Sequence, residues 1–371
     1  MSNSIKIVHL TSVHKDGDVR IFHKQCVSLA DAGYDVTLVI PNTLSRIENG
    51  VSIRSFIEQK RSRFFRIFRT GKKIYKEALL VNGSIYHLHD PELLRLAKKL
   101  KRQGKIVIYD AHEDLPRQVL AKNYIPKFLR KIISKMVERY ENKAVAKLDG
   151  VIAATPHIRD RFLKVQKNTL DVNNFPILDE LVFDVDNSQK DENEICYVGG
   201  VEVVRGIVGL VDALPQTKSK LILAGTIYGE GLKSKLENAP GWQQVEYLGF
   251  VSRKEVANIY RRSRIGIVTL HPLINYLDSL PVKMFEYMAA GIPVIASDFP
   301  LWNKILTENK CGLCVNPFDK DSIAKAINEL LANPEKAKQL GQNGKKAVLE
   351  KFNWNIEKKK LIEFYEKFDK I

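Results

Sequence analysis

The residues best suited to chemistry lie between positions 278 and 297. Asp278 precedes a turn at Pro281, and Lys283 and Glu286 follow on the first turns of a helical pattern. Val282, Phe285, Met288 and Ala289 form the apolar stripe of that helix, and Gly291 and Pro293 end it before a short buried strand at 294–296. Free N–H groups at a helix start beside a lysine form a ready phosphate site. A carboxylate one turn further, at Glu286, suits a diol such as ribose. Taken alone, the same residues read equally well as a capped, half-exposed helix with two surface charges. A second set lies at 197–206, where Gly199 and Gly200 allow close backbone approach and Arg205 stands before a helix, placed for a diphosphate.

Three further polar clusters follow strand patterns nearer the N-terminus. The loop 11–20 carries His14, Asp18 and Arg20 and lacks the G-x-G-x-x-G of a nicotinamide or flavin fingerprint. Asp18 also reads as the cap of a helix beginning at Arg20. The run 87–92 is His-Leu-His-Asp-Pro-Glu, and 109–114 is Tyr-Asp-Ala-His-Glu-Asp. His112 is suited to orient a hydroxyl or stabilise developing charge. At least one of Asp90, Asp110 and Asp114 is expected to cap a helix. Neither run has H-x-x-x-H spacing, so no metal is expected. Cys311 and Cys314 have no second pair beside them and are expected to pack rather than bind zinc.

These clusters need a scaffold, and the chain supplies two. Strand patterns at 5–10, 34–40, 51–56, 85–88, 105–109 and 150–154 alternate with helical ones at 20–32 and 128–147. The alternation restarts with strands at 194–198, 220–224, 245–248, 265–270 and 294–296, with a helix at 207–213. This predicts an α/β fold of two doubly wound Rossmann-like domains with parallel sheets. Ligands bind such sheets at the carboxyl ends of their strands, in the cleft expected between the domains. The polar stretch between Phe175 and Glu194 reads as the linker. The expected domains are 1–180 and 190–350, followed by an amphipathic helical stretch within 351–371.

The chain has 371 residues, 44% of them hydrophobic, enough for two cores. Its net charge is +16, and it is unevenly placed: residues 1–180 hold 33 Lys+Arg against 19 Asp+Glu, the remainder 26 against 24. The first half therefore faces something anionic. Residues 60–75 place Phe64, Ile67 and Phe68 on one helical face amid arginines and lysines, and 122–135 is a second basic, aromatic stretch. Both suit the surface of an anionic membrane better than nucleic acid, for which no recognition signature is present. No apolar run is long enough to span a bilayer, the N-terminus enters a strand directly instead of a signal peptide, and four cysteines suit a reducing cytoplasm.

In this order the motifs resemble the retaining GT-B glycosyltransferases of family four, which build bacterial surface polysaccharides. The likeness rests most on 281–297, with support from 197–206, 245–251, 14–24 and the tail Phe352, Asn353 and Trp354. It implies that the second domain binds a nucleotide-sugar, UDP- or GDP-linked. Arg205 and Lys283 would hold the diphosphate, Glu286 the ribose, Gly199 and Gly200 the glycine turn, and Phe250 and Val251 the base, with Leu280 and Val282 beside them. Asp278 stands where the family has the first of two glutamates separated by seven residues, and Gly200 where many members carry Arg. His112 matches the family's histidine near the reacting sugar, and His14, Asp18 and Arg20 would touch the acceptor. The resemblance further implies metal-free transfer to a lipid-linked glycan by a cytoplasmic enzyme held peripherally at the inner membrane face, with a last helix crossing back to the first domain. Competing readings are a UDP-sugar 2-epimerase and a non-catalytic protein that binds anionic lipid or nucleic acid.

Overall fold

The structure is a computed structural model and describes residues 4–58, 69–122, 124–181 and 193–369. Two compact units divide the chain: residues 1–174 with 357–371, and residues 175–356. Most of the basic segment 60–75 and of the polar linker, including Phe64, Ile67 and Phe68, lies outside the described residues.

The first unit is built on eight strands: β1 (Lys6–Leu10), β2 (Asp35–Pro41), β3 (Arg46–Glu48), β4 (Val51–Phe56), β5 (Ile85–Leu88), β6 (Ile106–Ala111), β7 (Gly150–Ala153) and β8 (Thr169–Asp171). They lie in the order β3-β4-β2-β1-β5-β6-β7-β8. Only β3 runs antiparallel, paired to β4 through a hairpin whose tip, Asn49 and Gly50, has φ of 48° and 75°. Positive φ at both tip residues is the primed turn that matches strand twist. Strands β3 and β8 were not expected, because three residues are too few to show a period.

Successive side chains alternate faces along these strands. Val8, Leu10, Tyr86, Leu88, Val107 and Tyr109 fill one apolar core. Their alternates His9, His87 and Asp110, with His89 just past β5, are also buried, on the other side. Register pairs His9 with His87 and Leu88 with Tyr109, which brings the polar set together across β1, β5 and β6. One expected α-helix departs from plan. Val19–Cys26 is wound as a π-helix, with the N–H of His23 reaching the Asp18 carbonyl, before an α-helix at Val27–Asp31. The wider turns bury Arg20, Lys24 and Gln25 together.

The second unit carries β9 (Glu194–Val198), β10 (Lys220–Ala224), β11 (Val245–Gly249), β12 (Ile265–Val268), β13 (Val294–Ser297) and β14 (Gly312–Val315), ordered β11-β10-β9-β12-β13-β14 and all parallel. Apolar clusters cover both faces, which explains the continuous hydrophobic runs of its strands. Phe175, read as the start of the linker, sits in this core: its ring meets those of Phe285 at 4.7 Å and Phe352 at 5.4 Å. Cys311 and Cys314 are free thiols; Cys311 is buried in the same cluster and Cys314 packs against it. The last helix, Trp354–Glu366, begins in the second unit and from Glu357 belongs to the first. There Tyr365 reaches His87 Nδ1 at 2.7 Å, and Glu357 accepts the N–H of Asn173.

Candidate active site

In the second unit β9 ends in the turn at Gly199 and Gly200, and the helix Val282–Ala289 delivers Lys283 beneath it. Gly199 has φ of 129°, and a Cβ there would lie 3.0 Å from Lys283 Nζ. Only glycine leaves this approach open. Lys283 Nζ is buried, has no hydrogen-bond partner among the described residues, and rests 3.6 Å from the centre of the Tyr197 ring. Burial, then the charge of Arg205, drive its ammonium well below the usual 10.5, with Glu286 acting in the opposite direction. Arg205 reaches Glu202 at 3.4 Å while its Nε has no hydrogen bond. Gly206, with φ of 75°, starts the following helix, and a Cβ there would sit 1.7 Å from the Thr269 carbonyl oxygen. The pocket therefore sets two cations side by side, Arg205 offset by Glu202 and Lys283 without a hydrogen bond of its own among the described residues.

Glu286 is buried on the same helix, which is covered on every side from Met284 onward; the half-exposed alternative and the single apolar stripe do not hold. Its Oε1 accepts from Arg253 Nη1 at 2.8 Å and its Oε2 from the Tyr260 hydroxyl at 2.9 Å. A carboxylate has about four lone-pair sites, so two stay available.

In the first unit Asp110 is the hub. Arg20 holds it bidentately, Nε to Oδ2 at 3.1 Å and Nη2 to Oδ1 at 2.6 Å, and Gln25 Nε2 donates at 2.7 Å. Burial raises the Asp110 carboxyl, but Arg20, then His112, outweigh it and hold it well below 3.8. His112 Nε2 lies 3.0 Å from Asp110 Oδ2 and 3.2 Å from His89 Nδ1, and His89 Nε2 lies 2.9 Å from His9 Nδ1. Burial lowers His9, His87 and His89 below 6.5. His14 sits beside His112, ring centres 4.9 Å apart. Burial would lower His14, but Asp18, Asp90 and Asp110 raise it above 6.5 overall.

By distance, His89, Asp110 and His112, or His9, His87 and His89, could hold a metal ion. Chain spacing missed both groups because their members come from neighbouring strands. A cation at Asp110 Oδ2 would compete with Arg20 and Gln25, which already donate there.

The structure thus gathers Gly199, Gly200, Arg205, Lys283 and Glu286 in one unit and His14, Asp18 and His112 in the other. Arg20, expected at the acceptor, is buried against Asp110 and the Val172 carbonyl. Asp18 caps its helix, accepting from the N–H groups of Arg20 and Ile21, and pairs with His14 at 3.2 Å. Asp90 and Asp114 occupy N-cap positions, but neither side chain bonds a helix N–H. Asp90 instead binds Thr11 and Ser12. Val251 and Leu280 pack against the core of the second unit, and Val282 opens the helix of Lys283. Phe250 projects outward, 86% exposed. Asp278 is half-buried in the turn before Pro281. Tyr197, His89 and Asp110 fall within the clusters the sequence singles out, without a site role of their own there, while Arg253 and Tyr260 carry no sequence signal; for His89 and Asp110 the alternation of 86–89 and 109–112 marks their face.

Two α/β units built on mainly parallel sheets are the architecture of a GT-B glycosyltransferase scaffold, and comparison with known proteins agrees. The profile of "Glycosyl transferases group 1" matches residues 179–347, and that of "Glycosyltransferase Family 4" matches 16–172. Together the two glycosyltransferase profiles span most of both units. It is similar to the phosphatidyl-myo-inositol mannosyltransferase of Mycobacterium leprae, 28% identical over 163 residues, 44% of this chain and 43% of that one. The chain spans about half the length of the curated relatives it matches, 45% and 43% in two of them. Its fold is that of sucrose-phosphate synthase from Thermosynechococcus elongatus, with TM-score 0.79, 19% identity, and coverage of 98% of this chain and 99% of that one. It is also that of Anabaena HepE in complex with UDP-glucose, with TM-score 0.73, 15% identity, and coverage of 98% and 100%. Among the described residues no helix is long and apolar enough to cross a membrane.

Proposed function

We propose that the chain transfers a sugar from a nucleoside diphosphate sugar, UDP-linked in preference to GDP-linked, to a lipid-linked glycan at an anionic membrane surface, with retention and without a metal. The observation that carries this reading is Lys283: a buried amine without a hydrogen-bond partner among the described residues, beside Arg205 and under the open face of Gly199. A diphosphate supplies the hydrogen-bonding anion that Lys283 lacks. Glu286 takes the ribose hydroxyls with the lone pairs Arg253 and Tyr260 leave, and the backbone at Phe250 and Val251 meets the base. In the second unit Asp278 is assigned to the donor sugar; in the first, His112 is assigned to the reacting sugar and His14 and Asp18 to the acceptor. The UDP preference is supported by the likeness to HepE, solved with UDP-glucose, and the lipid acceptor by the named mannosyltransferase relative.

The chemistry follows from charge. Breaking the bond between C1 and the phosphate oxygen builds positive charge on the ring and negative charge on the leaving diphosphate. Arg205 and Lys283 stabilise the latter, as a divalent cation would elsewhere. The acceptor oxygen bonds C1 on the face the phosphate leaves, and its proton passes to that phosphate, so the anomeric configuration is kept. Thermal shift with UDP-, GDP- and ADP-sugars, followed by product analysis, tests the reading. Stabilisation by a UDP-sugar and an EDTA-insensitive product with the donor's anomeric configuration are expected. Full turnover by Lys283→Met or Arg205→Ala would overturn it.

A further inference from the structure

The helix Lys127–Val145 is anchored on one side only. Ser134, Glu141 and Val145 are buried, and Glu141 binds Arg161 and the Tyr109 hydroxyl. On its outer side Phe128, Ile132, Met136 and Tyr140 follow one another at four-residue spacing and are 75%, 54%, 61% and 49% exposed. Four-residue spacing places them in one row along the helix. Lys127, Lys131, Lys135 and Arg139, each one position earlier, form an exposed cationic row alongside. Neither row contains an acidic residue. Single exposed apolar side chains are ordinary at protein surfaces, but four in line beside four cations have the composition of a helix that lies in a lipid–water interface.

We propose that this face docks on an anionic lipid surface, with the apolar row entering the boundary between headgroups and acyl chains and the cationic row meeting lipid phosphates. Charge selects this occupant. A second copy of the chain packed face to face would set four cations against four. Nucleic acid would match the cations and leave Phe128, Ile132 and Met136 in water. The inference deepens the membrane part of the functional reading and rests on it only in assigning a purpose to the contact.

Flotation of the full chain with vesicles of phosphatidylglycerol and phosphatidylcholine, against phosphatidylcholine alone, tests the proposal. Binding to the mixed vesicles alone, weakened by salt, is expected. Phe128→Asp with Ile132→Asp, and separately Lys131→Glu with Lys135→Glu, should each lower partitioning by on the order of tenfold or more. These exposed positions lie outside the donor pocket, so donor-sugar hydrolysis should match the parent, which also checks folding. As a second measurement, Phe128→Trp emission should shift to the blue on mixed vesicles. Equal binding to both vesicle types, retained binding in both double variants, or a dimer in sedimentation that Phe128→Asp dissolves would each overturn the proposal. Vesicle binding without any sugar transfer would leave it standing and count against the functional reading instead; transfer to a soluble acceptor without vesicle binding would do the reverse.

Discussion

Asp110 in the first unit and Lys283 in the second are both ionisable side chains withdrawn from water, and their surroundings are opposite. Asp110 receives a guanidinium on both oxygens and an amide from Gln25, with two imidazoles alongside. Lys283 has the face of Tyr197, a neighbouring cation and no hydrogen bond among the described residues. A buried charge is tolerated when it is paired, and an unpaired one costs stability. Folding therefore pairs the Asp110 charge on both oxygens, and the network holds His112 in place, although Gln25 Oε1, His9 Nε2 and His87 Nε2 stay buried without a hydrogen bond among the described residues. The second keeps a deficit that a bound anion would remove, which is how a binding site differs from a structural network.

Removing one charge from each pocket should have opposite effects on stability. Asp110→Ala leaves Arg20 buried without its partner and should cost about 3–5 kcal/mol, the largest effect expected, measured by urea denaturation of the first unit. Lys283→Met removes an unpaired buried amine at similar volume. It should leave the ligand-free protein unchanged or stabilise it by up to about 1–3 kcal/mol, while abolishing the thermal shift with a UDP-sugar. A Lys283→Met protein that melts well below the parent without ligand would show that the lysine has a structural partner, and the contrast between the pockets would fail.

The pockets should also respond to pH in separate windows. His9, His87 and His89 have folded pKa values below the ordinary 6.5, so between those values and 6.5 the unfolded chain binds more protons. Their contribution is complete above about pH 6.5 and is lost as pH falls below it. Lys283 is likewise depressed, from 10.5, so the second unit should gain stability as pH rises toward that value. All three tryptophans, Trp242, Trp302 and Trp354, lie in the second unit. Their fluorescence follows that unit, while hydrogen exchange in β1, β5 and β6 follows the other. Loss of protection in those strands between pH 7 and 5, with tryptophan emission unchanged, is expected. A Trp transition that moves with the histidine window would merge the two pockets into one titrating system.

Much of this was legible because period two survives in short strands. The alternation at 86–89 and at 109–112 marks a sheet with one apolar and one polar face, and the restart at 194 marks a second sheet. What was hidden depends on long-range partners. Arg20 reads as a loop cation until the fold brings it to Asp110, ninety positions away. Glu286 reads as a surface carboxylate until Tyr260 and Arg253 close over it. The π-helix at Val19–Cys26 carries no local signature, since only the burial of Arg20, Lys24 and Gln25 calls for its wider turns. Phe175 was placed in the linker because polar residues follow it, although its own type argued for a core.

Two substitutions test how far the reserve of the second pocket extends. Gly199→Ala combines a strained φ with a contact on Lys283 Nζ, so about 1–3 kcal/mol should be lost, in donor affinity as well as stability. Asp278→Glu should do least. The turn before Pro281 is half-buried, so one added methylene can be accommodated there without unfolding. If Asp278 meets the donor sugar, lengthening it should shift kcat/KM between hexose donors by about tenfold or less, within what one misplaced hydrogen bond is worth, and leave UDP affinity unchanged. Competition between UDP-sugars, with UDP itself as the control ligand, separates the two. A change in UDP affinity equal to the change in kcat/KM would place Asp278 with the diphosphate cations instead, as a further anion beside Glu202 and Glu286.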